Sequence, residues 1–247
     1  MCDEWMPKIE LPLTKEQFHQ LPRNPAYKYE YLNGKAYLSP RARHYHAVLD
    51  LEHLPVSEDV DIRQIKGNKL MDLIPLFCGA FHSIQPYGSL DEATREQAAR
   101  HAMERTRTGG DGPLIEQASF VAQDKNKHPG TTIGAILVTL LPAGDPTDMD
   151  SYYWHEPPPD DCIGQRQGRP HLTWVFVSPL EAGCGVGTAL LTAAGNALLD
   201  MGFTHLFTTF ISGNDSSMLW HWRNEFRLLP YAGSRREIKK RLKPTPR

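Results

Sequence analysis

One stretch of this 247-residue chain, residues 171–201, constrains its fold more than any other. Its first residues are mostly β-branched and aromatic and end at Ser178-Pro179, which predicts a buried strand. Small and apolar residues then recur at helical spacing until Gly202 ends the run. Between the two segments glycines alternate across a tight turn, at Gly183, Gly185 and Gly187. The sequence therefore predicts a strand, a glycine loop and a helix.

Such a loop presents the first backbone N–H groups of its helix outward, at the positive end of the helix dipole. Because glycine has no Cβ, a ligand can approach this backbone closely. We therefore predict an anion site, and phosphate is the anion it suits best. A Walker A loop is excluded, since the lysine and the glycine separation of that motif are both missing. The dinucleotide fingerprint needs its third glycine at Thr188 or Leu190, and neither residue is a glycine.

The string V-x-P-x-x-A-G-x-G-x-G-x-x-L-L, residues 177–191, resembles the acetyl-CoA loop of the GNAT superfamily of N-acetyltransferases. The family pattern Q/R-x-x-G-x-G/A falls on Ala182, Gly185 and Gly187. Ala182 replaces the usual Gln or Arg, and Glu181 places a negative charge beside the expected pyrophosphate. Such a loop binds phosphate mainly through backbone N–H groups, which do not depend on either side chain.

A second similarity follows the strand-like residues 205–212. The segment GNDSSMLWHWRNEFRLL resembles the GNAT pattern N-x-x-A-x-x-x-Y-x-K-x-G-F, with Asn214 at its first position and His221 at the tyrosine position. Asn214 or Asp215 is a suitable N-cap for a helix here. The resemblance implies an α/β (α+β) fold, in which helices flank a mixed, mostly antiparallel sheet with a splayed central strand pair.

The resemblance also implies an activity, that of an acyltransferase carrying an acetyl group from acetyl-CoA to a primary amine by direct attack in a ternary complex. In this family the pantetheine pairs with the strand before the loop, here with the backbone of Val175 and Val177. Asn214 is expected on the same cofactor-binding side. The loop positions expected to hold the pyrophosphate are Ala182, Gly183, Cys184, Gly185, Val186, Gly187 and Thr188.

Acetylation of an ammonium group requires a proton acceptor, and the departing thiolate requires a proton. Some relatives carry the base at the position of His171, where an imidazole of pKa about 6.5 suits the task; the alternative is that His171 only begins its strand. Glu116, at the start of an earlier predicted strand, is a second candidate base. His221 is the candidate to protonate or hold the sulfur. Cys184 has no evident base partner and is assigned a structural role.

A second function class stays open beside the enzyme. Ala182, Glu181 and the missing tyrosine favour a GNAT-like module that binds acyl-CoA, or only a partner protein, without turnover. For the enzyme, the expected acceptor is a small-molecule or peptide amine whose identity the sequence does not specify. A homodimer is an open alternative to a monomer.

Composition narrows the remaining choices. With 40% hydrophobic and 23% charged residues, the chain can bury one substantial core. A formal net charge of -2 gives no global reason to expect nucleic acid or a membrane as partner. The four cysteines are scattered without a C-x-x-C, so we expect neither a disulfide framework nor a metal site. No stretch reaches the roughly 18 apolar residues of a membrane span, and a reducing cytoplasm is the expected compartment.

We divide the chain into an N-terminal extension (1–57), a GNAT-like domain (58–231) and a basic tail (232–247). In the extension, Asn33-Gly34 between alternating residues predicts a β-hairpin, which should lie on the main domain or on a second subunit. A seventh strand of the main sheet is not visible, and the hairpin is a candidate for that edge. His44 and His46 are interpreted as surface or turn histidines, since no third metal ligand lies nearby.

Within the main domain, periodicity predicts strands over 60–66, 115–123 and 132–141 and helices over 70–82 and 89–107, the latter with a capping box of Ser89 and Glu92. The connection 142–170 is long and acidic in its first two thirds, and carries Tyr152, Tyr153 and Trp154. It is either a lid whose carboxylates attract an amine and whose aromatic rings cover it, or a solvated insertion whose aromatic rings pack on the core.

Overall fold

The structure is a computed structural model that describes residues 9–11, 13–23, 27–40, 44–84, 87–125, 129–146, 149–211 and 214–229. The basic tail expected over 232–247 lies outside the described residues. The described chain forms a small N-terminal sheet and a larger central sheet.

The N-terminal sheet contains the predicted hairpin. Its strands are β1 (Ile9–Leu11), β2 (Tyr27–Leu32) and β3 (Lys35–Pro40), in the spatial order β1-β3-β2, and helix α1 (Lys15–Gln20) connects β1 to β2. Asn33 and Gly34 turn the chain with φ angles of 51° and 77°, the positive values that an Asn-Gly hairpin turn requires. The hairpin is confirmed, but it belongs to a separate sheet and does not fill an edge of the central one.

Within the described residues, the central sheet has seven strands. In chain order they are β4 (His44–Asp50), β5 (Asp61–Gln64), β6 (Phe120–Gln123), β7 (Thr132–Leu141), β8 (Arg169–Val177), β9 (His205–Ile211) and β10 (Arg227–Leu228). Their spatial order is β10-β4-β9-β8-β7-β6-β5. Every neighbouring pair is antiparallel except β8 and β9, which run parallel. The predicted mixed, mostly antiparallel sheet is confirmed.

Strand β4 is the seventh strand that the sequence analysis missed. It comes from the predicted N-terminal extension and lies inside the sheet, between β9 and β10, rather than at an edge. Its inward-facing residues include a buried histidine, His46, beside Ala47 and Val48. Polar residues at buried positions hide the alternation by which strands are recognised.

Four further helices flank the sheet: α2 (Ile74–Ala80), α3 (Glu92–Arg107), α4 (Val186–Asp200) and α5 (Asp215–Arg223). A 3₁₀ helix (Gly67–Leu73) leads into α2, and Pro75 lies in the first turn of α2, where its missing N–H breaks no helical hydrogen bond. Helix α3 is capped by Asp91, whose side chain accepts a hydrogen bond from the Thr94 N–H, so the predicted capping box of Ser89 and Glu92 is wrong. Ser89 belongs instead to a short 3₁₀ helix (Tyr87–Ser89).

The strand predicted over 115–123 is only half correct. Residues Glu116–Ala118 form a 3₁₀ turn, and the strand β6 begins at Phe120. The Ser119 hydroxyl donates to the Ile115 carbonyl and accepts from the Val138 N–H, which stabilises this turn against β7. Glu116 is therefore in a turn and not at the start of a strand.

The helices pack on opposite faces of the sheet, which gives three layers. Alternate residues of β7 show the two faces: Ile136 and Val138 pack in the cluster that contains α4, and Ala135 and Leu137 pack in the cluster that contains α2 and α3. Gly134 lets α4 lie close to β7, because a Cβ there would come within 2.8 Å of the Val186 Cγ1.

Candidate functional site

The two parallel strands at the centre of the sheet separate after a short contact. Strands β8 and β9 pair only at His171 with Phe207 and at Leu172 with Thr208. Strand β8 then stays with β7 as far as Val177, while among the described residues it has no further partner on the side of β9. This confirms the predicted splayed strand pair, and it opens a cleft in the middle of the sheet.

The glycine loop lies at one end of this cleft. Gly183 and Gly185 have φ angles of +81° and +84°, which strain any residue that carries a Cβ. A Cβ on either glycine would meet nothing within 4 Å, so the outer side of the loop is open. Helix α4 begins directly after Gly185, which provides no side-chain cap.

The loop leaves backbone donors without acceptors. Among the described residues, no hydrogen-bond acceptor faces the N–H groups of Gly183, Gly185, Val186, Gly187 and Thr188. The side chain of Thr188 donates to the Asn224 side chain at 3.0 Å and so ties the start of α4 to the end of α5. Gly187 allows Trp220 to approach, since a Cβ there would lie 2.9 Å from the indole nitrogen. The arrangement is a ready anion site.

A cavity of about 870 Å³ joins the loop to the cleft and continues beyond it. Its loop end is formed by residues 181–188 apart from Cys184, and by α5. Its centre is formed by β8 and the end of β9. We call its far part the aromatic end, which is lined by Tyr27, Phe81, Tyr87, Trp174 and Phe176.

Most of the residues predicted for the site come together in this cavity. Those that line it are His171, Val175, Val177, Ala182, Gly183, Gly185, Val186, Gly187, Thr188, Asn214 and His221. Asn214 is also the N-cap of α5, where its side chain accepts from the Ser217 N–H at 3.1 Å. Cys184 is an exposed thiol outside the lining, and Glu116 is outside it as well.

Glu116 has a different environment from the one expected of a base. Its Oε1 accepts the backbone N–H of Gly67 at 2.7 Å, where the 3₁₀ helix before α2 begins. This contact gives the carboxylate a structural role. Glu116 does not line the cavity in which the other predicted site residues meet.

His171 lies in the centre of the cavity, in a buried polar cluster. Its Nδ1 is 3.2 Å from the Thr173 hydroxyl, and its Nε2 is 3.3 Å from the Thr209 hydroxyl. Burial, with smaller contributions from Arg169 and His46, lowers the pKa of His171 to about 3. The imidazole is therefore neutral at pH 7.

His46 completes this cluster, and the sequence analysis missed it. It is 3% exposed, and its Nδ1 lies 3.1 Å from the Thr209 hydroxyl and 2.6 Å from the Tyr152 hydroxyl. The interpretation of His46 as a surface or turn histidine is therefore wrong. Among the described residues, no group of three His, Cys, Asp or Glu side chains is placed to hold a metal ion.

His221 is buried between α5 and the sheet. Its Nδ1 donates to the Ser217 carbonyl at 2.7 Å, its Nε2 lies 3.2 Å from the Thr208 hydroxyl, and its ring stacks on Phe210. Burial lowers the pKa of His221 to about 4, against a smaller opposing effect of the Ser217 carbonyl. Since Nδ1 carries the single proton of the neutral ring, Nε2 can only accept a hydrogen bond.

The insertion between β7 and β8 is anchored to the core. The Arg169 guanidinium donates to the Ser151 and Gly144 carbonyls and lies over the Tyr152 ring, and the Trp154 indole donates to the Leu140 carbonyl. Tyr152 and Tyr153 also line the cavity. The acids of the insertion with described side chains, Asp145, Glu156, Asp160 and Asp161, are exposed and outside the lining. Its aromatic rings therefore both pack on the core and reach the cavity.

The aromatic end is assembled from segments that are far apart in the sequence. Tyr27 comes from the hairpin, Phe81 and Tyr87 follow α2, and Trp174 and Phe176 come from β8. Beside them, Arg105 and Asp111 form an ion pair of 2.7 Å. No single sequence motif could have indicated this set.

None of the described helices is long and apolar enough to cross a bilayer.

No protein-family model and no curated protein matches this sequence. Solved structures do match, at low identity. The PaiA N-acetyltransferase from Thermoplasma acidophilum in complex with coenzyme A is 14% identical over 68% of this chain and 89% of that one, with a TM-score of 0.44. A GNAT family acetyltransferase from Brucella melitensis in complex with acetyl-CoA is 16% identical over 71% and 90%, with a TM-score of 0.43.

The fold itself is described by the strand order, by the separation of β8 from β9 and by the glycine loop before α4. The mostly antiparallel sheet, the separated strand pair and the glycine loop before a helix are the features that the GNAT resemblance of the sequence implied. The described chain has a GNAT-like fold.

Proposed function

We propose that this protein is an acyl-CoA-dependent N-acyltransferase that transfers an acetyl group from acetyl-CoA to a primary amine. The observation that carries the proposal is a single cavity that contains both the unpaired N–H groups of the loop and the cleft between β8 and β9. The first suits a diphosphate and the second suits an extended acyl-carrying chain.

The loop end fits a pyrophosphate in charge and in space. Its N–H groups lie at the positive end of the 15-residue helix α4, and the open side of Gly183 and Gly185 leaves room for phosphate oxygens. Arg223 also lines this end and offers a positive charge that offsets Glu181. In this proposal the N–H groups of Gly183 and of Gly185 to Thr188 hold the diphosphate. Those of Ala182 and Cys184, which the resemblance had included, already donate to the Pro179 and Glu181 carbonyls.

The cleft fits the pantetheine arm. Val175 and Val177 line the cavity on the part of β8 that β9 has left. An exposed strand edge offers N–H and C=O groups to a ligand that carries amides. The thioester would then lie near the centre of the cavity, where the polar cluster of His171 is found.

The reaction is balanced without an outside acid. The amine nitrogen attacks the thioester carbonyl carbon, a C–N bond forms, the C–S bond breaks, and the proton lost by nitrogen is the one that the thiolate gains. An amine that enters an apolar cavity loses solvation, which favours its neutral, nucleophilic form. A neutral His171 can then accept a hydrogen bond from the attacking amine, so we propose an orienting role for it rather than that of a strong base.

His221 is proposed as a positioning residue. Its protonated nitrogen is occupied by the Ser217 carbonyl, so the neutral ring has no proton to give to sulfur. Its Nε2 holds the Thr208 hydroxyl, and Thr208 itself lines the cavity. No catalytic role is proposed for Glu116 or Cys184.

A second candidate is an acyl-CoA-binding module without turnover. The observation that favours it is that burial lowers the pKa of both His171 and His221, so neither histidine of the cavity is a strong proton acceptor at pH 7. The two candidates make the same prediction for binding and different ones for chemistry.

The experiment is a thermal melt with and without acetyl-CoA, followed by a thiol-release assay with a panel of primary amines. For the enzyme we expect a higher melting temperature with acetyl-CoA and amine-dependent thiol release. Stabilisation without release from any amine would favour the module. If acetyl-CoA neither stabilises the protein nor releases thiol with any amine, both candidates are overturned.

A further inference from the structure

A buried hydroxyl at the aromatic end has no partner in the protein. Tyr27 is 2% exposed, and among the described residues its hydroxyl has no hydrogen-bond partner. Tyr27 also lines the cavity. A buried donor without a partner destabilises the folded state, so in native proteins such a group is normally paired with protein, with water or with a ligand.

The rest of the hairpin gives no structural reason for this hydroxyl. The Tyr27 ring belongs to the small core of the N-terminal sheet, with Leu11, Phe18, Leu38 and Leu90. The hydroxyl of Tyr29, two residues along the same strand, donates to the Pro22 carbonyl at 3.1 Å. Burial raises the pKa of Tyr27 far above its ordinary value, so the group stays a neutral donor at working pH.

The walls around Tyr27 suit a flat apolar group. Phe81, Tyr87, Trp174 and Phe176 line this end, and their rings pack edge-on or tilted around the ring of Phe77. The Trp174 indole N–H is already used, since it donates to the Thr106 hydroxyl at 3.0 Å. Tyr27 therefore adds one unused polar group to an aromatic wall.

Charge at this end is neutralised within the protein. Arg105 and Asp111 both line the cavity, and they pair with each other at 2.7 Å. The second oxygen of Asp111 accepts from the Thr106 hydroxyl at 2.7 Å. The distal charges of a long polycationic acceptor would be buried against aromatic rings, where both oxygens of Asp111 are already paired. Burying a charge without a counter-charge is unfavourable.

We propose that the acceptor is an arylalkyl primary amine with an oxygen at its distal end, and that Tyr27 is the residue that selects this oxygen. The proposal rests on the function proposed above and names its substrate class. The N-terminal hairpin is then part of the acceptor site. The described acids of the insertion have no part in this selection, since they lie outside the cavity.

The test compares two amines that differ by one oxygen, tyramine and phenethylamine, by calorimetric titration of the full chain. For the wild type we expect tyramine to bind about tenfold more tightly, the order of one hydrogen bond to a buried neutral group. In Tyr27→Phe the two amines should bind equally. Tyr29→Phe is the matched control, because it removes a tyrosine hydroxyl from the same strand outside the cavity, and it should keep the wild-type preference.

Equal binding of the two amines to the wild type, or no binding of either at millimolar concentration, would overturn the proposal. A preference that survives in Tyr27→Phe would overturn it too. These results are independent of turnover. If tyramine shows the Tyr27-dependent preference but no amine releases thiol from acetyl-CoA, the acceptor pocket stands and the proposed transferase fails. If other amines release thiol while tyramine fails to bind, the transferase stands and this inference fails.

Discussion

The two ends of the cavity offer a ligand different parts of the chain. The loop end offers the N–H groups of Gly183 and of Gly185 to Thr188, which have no acceptor among the described residues, and its conformation depends on two glycines with positive φ. The aromatic end uses side chains from the hairpin, the segment after α2 and strand β8. A site made of backbone tolerates side-chain variation, whereas a site made of side chains can change its specificity by single substitutions.

The difference also concerns electrostatics. At the loop end, the helix dipole and unpaired donors favour a negatively charged ligand. At the aromatic end, Arg105 and Asp111 neutralise each other in an ion pair, and Tyr27 provides a neutral donor. The neutral histidines in the centre separate these two environments. Each prediction below tests one of the three regions.

The largest effect is expected at the loop end, from Gly185→Asp compared with Gly185→Asn. Both residues tolerate the left-handed conformation better than other non-glycine residues, so the loop should keep its shape. A carboxylate beside the diphosphate should weaken acetyl-CoA binding at least 100-fold, since two like charges about 5 Å apart repel by roughly 3 kcal/mol at an effective dielectric of 20. The neutral amide should cost less than about tenfold on the same reasoning. Calorimetric titration with acetyl-CoA measures both.

Gly130→Asp is the matched control for backbone strain. Gly130 has a φ of +85°, nothing within 4 Å of an added Cβ, and a position in the turn between β6 and β7. It should lose as much stability as Gly185→Asp and bind acetyl-CoA like the wild type. Equal losses of affinity in Gly185→Asp and Gly185→Asn, unchanged by salt, would mean that the loop does not bind a charged group.

The loop end is also the part of the site that the sequence predicts best. Strand, turn and helix are local features, and the boundaries found, Arg169–Val177 and Val186–Asp200, lie close to the predicted ones. Glycine at a positive φ leaves a signature in the sequence, whereas an aromatic wall does not, because Tyr27 and Trp174 meet only after folding. The contact of His46 with Tyr152 could not be predicted for the same reason, and His46 was wrongly interpreted as a surface or turn histidine. Glu116 was misplaced because a turn stabilised by Ser119 was predicted to be a strand.

In the centre of the cavity, we expect stability to fall in mild acid. The pKa values of His171 and His221 are about 3 and 4 in the folded protein and return to about 6.5 on unfolding. Between those values the unfolded chain binds protons that the native state does not, so the free energy of unfolding decreases as pH falls below about 6.5. Between pH 6.5 and pH 5.5 the two histidines together should lower the free energy of unfolding by about 2 kcal/mol. Urea unfolding at the two pH values measures the loss.

In His171→Gln the free energy of unfolding should fall by only about half as much over the same pH interval, because one of the two titrating groups is gone. His53→Gln, which replaces an exposed histidine outside the cavity, serves as the control and should keep the wild-type loss. A wild type as stable at pH 5.5 as at pH 6.5 would show that the centre of the cavity is open to water, which would remove the electrostatic contrast with the loop end.

The smallest effect is expected where the insertion reaches the centre of the cavity. Tyr152→Phe removes a hydroxyl that lies 2.6 Å from the His46 Nδ1 and donates to the Pro146 carbonyl at 2.9 Å. We expect the free energy of unfolding to fall by about 1 kcal/mol, the net value of a buried hydrogen bond, when measured by urea titration at pH 7. Glu156→Gln, an exposed acid of the same insertion, should change nothing. If Glu156→Gln raises the KM for amines and Tyr152→Phe leaves stability unchanged, the insertion acts through its charges. The contrast between a charged loop end and a neutral aromatic end would then have to be abandoned.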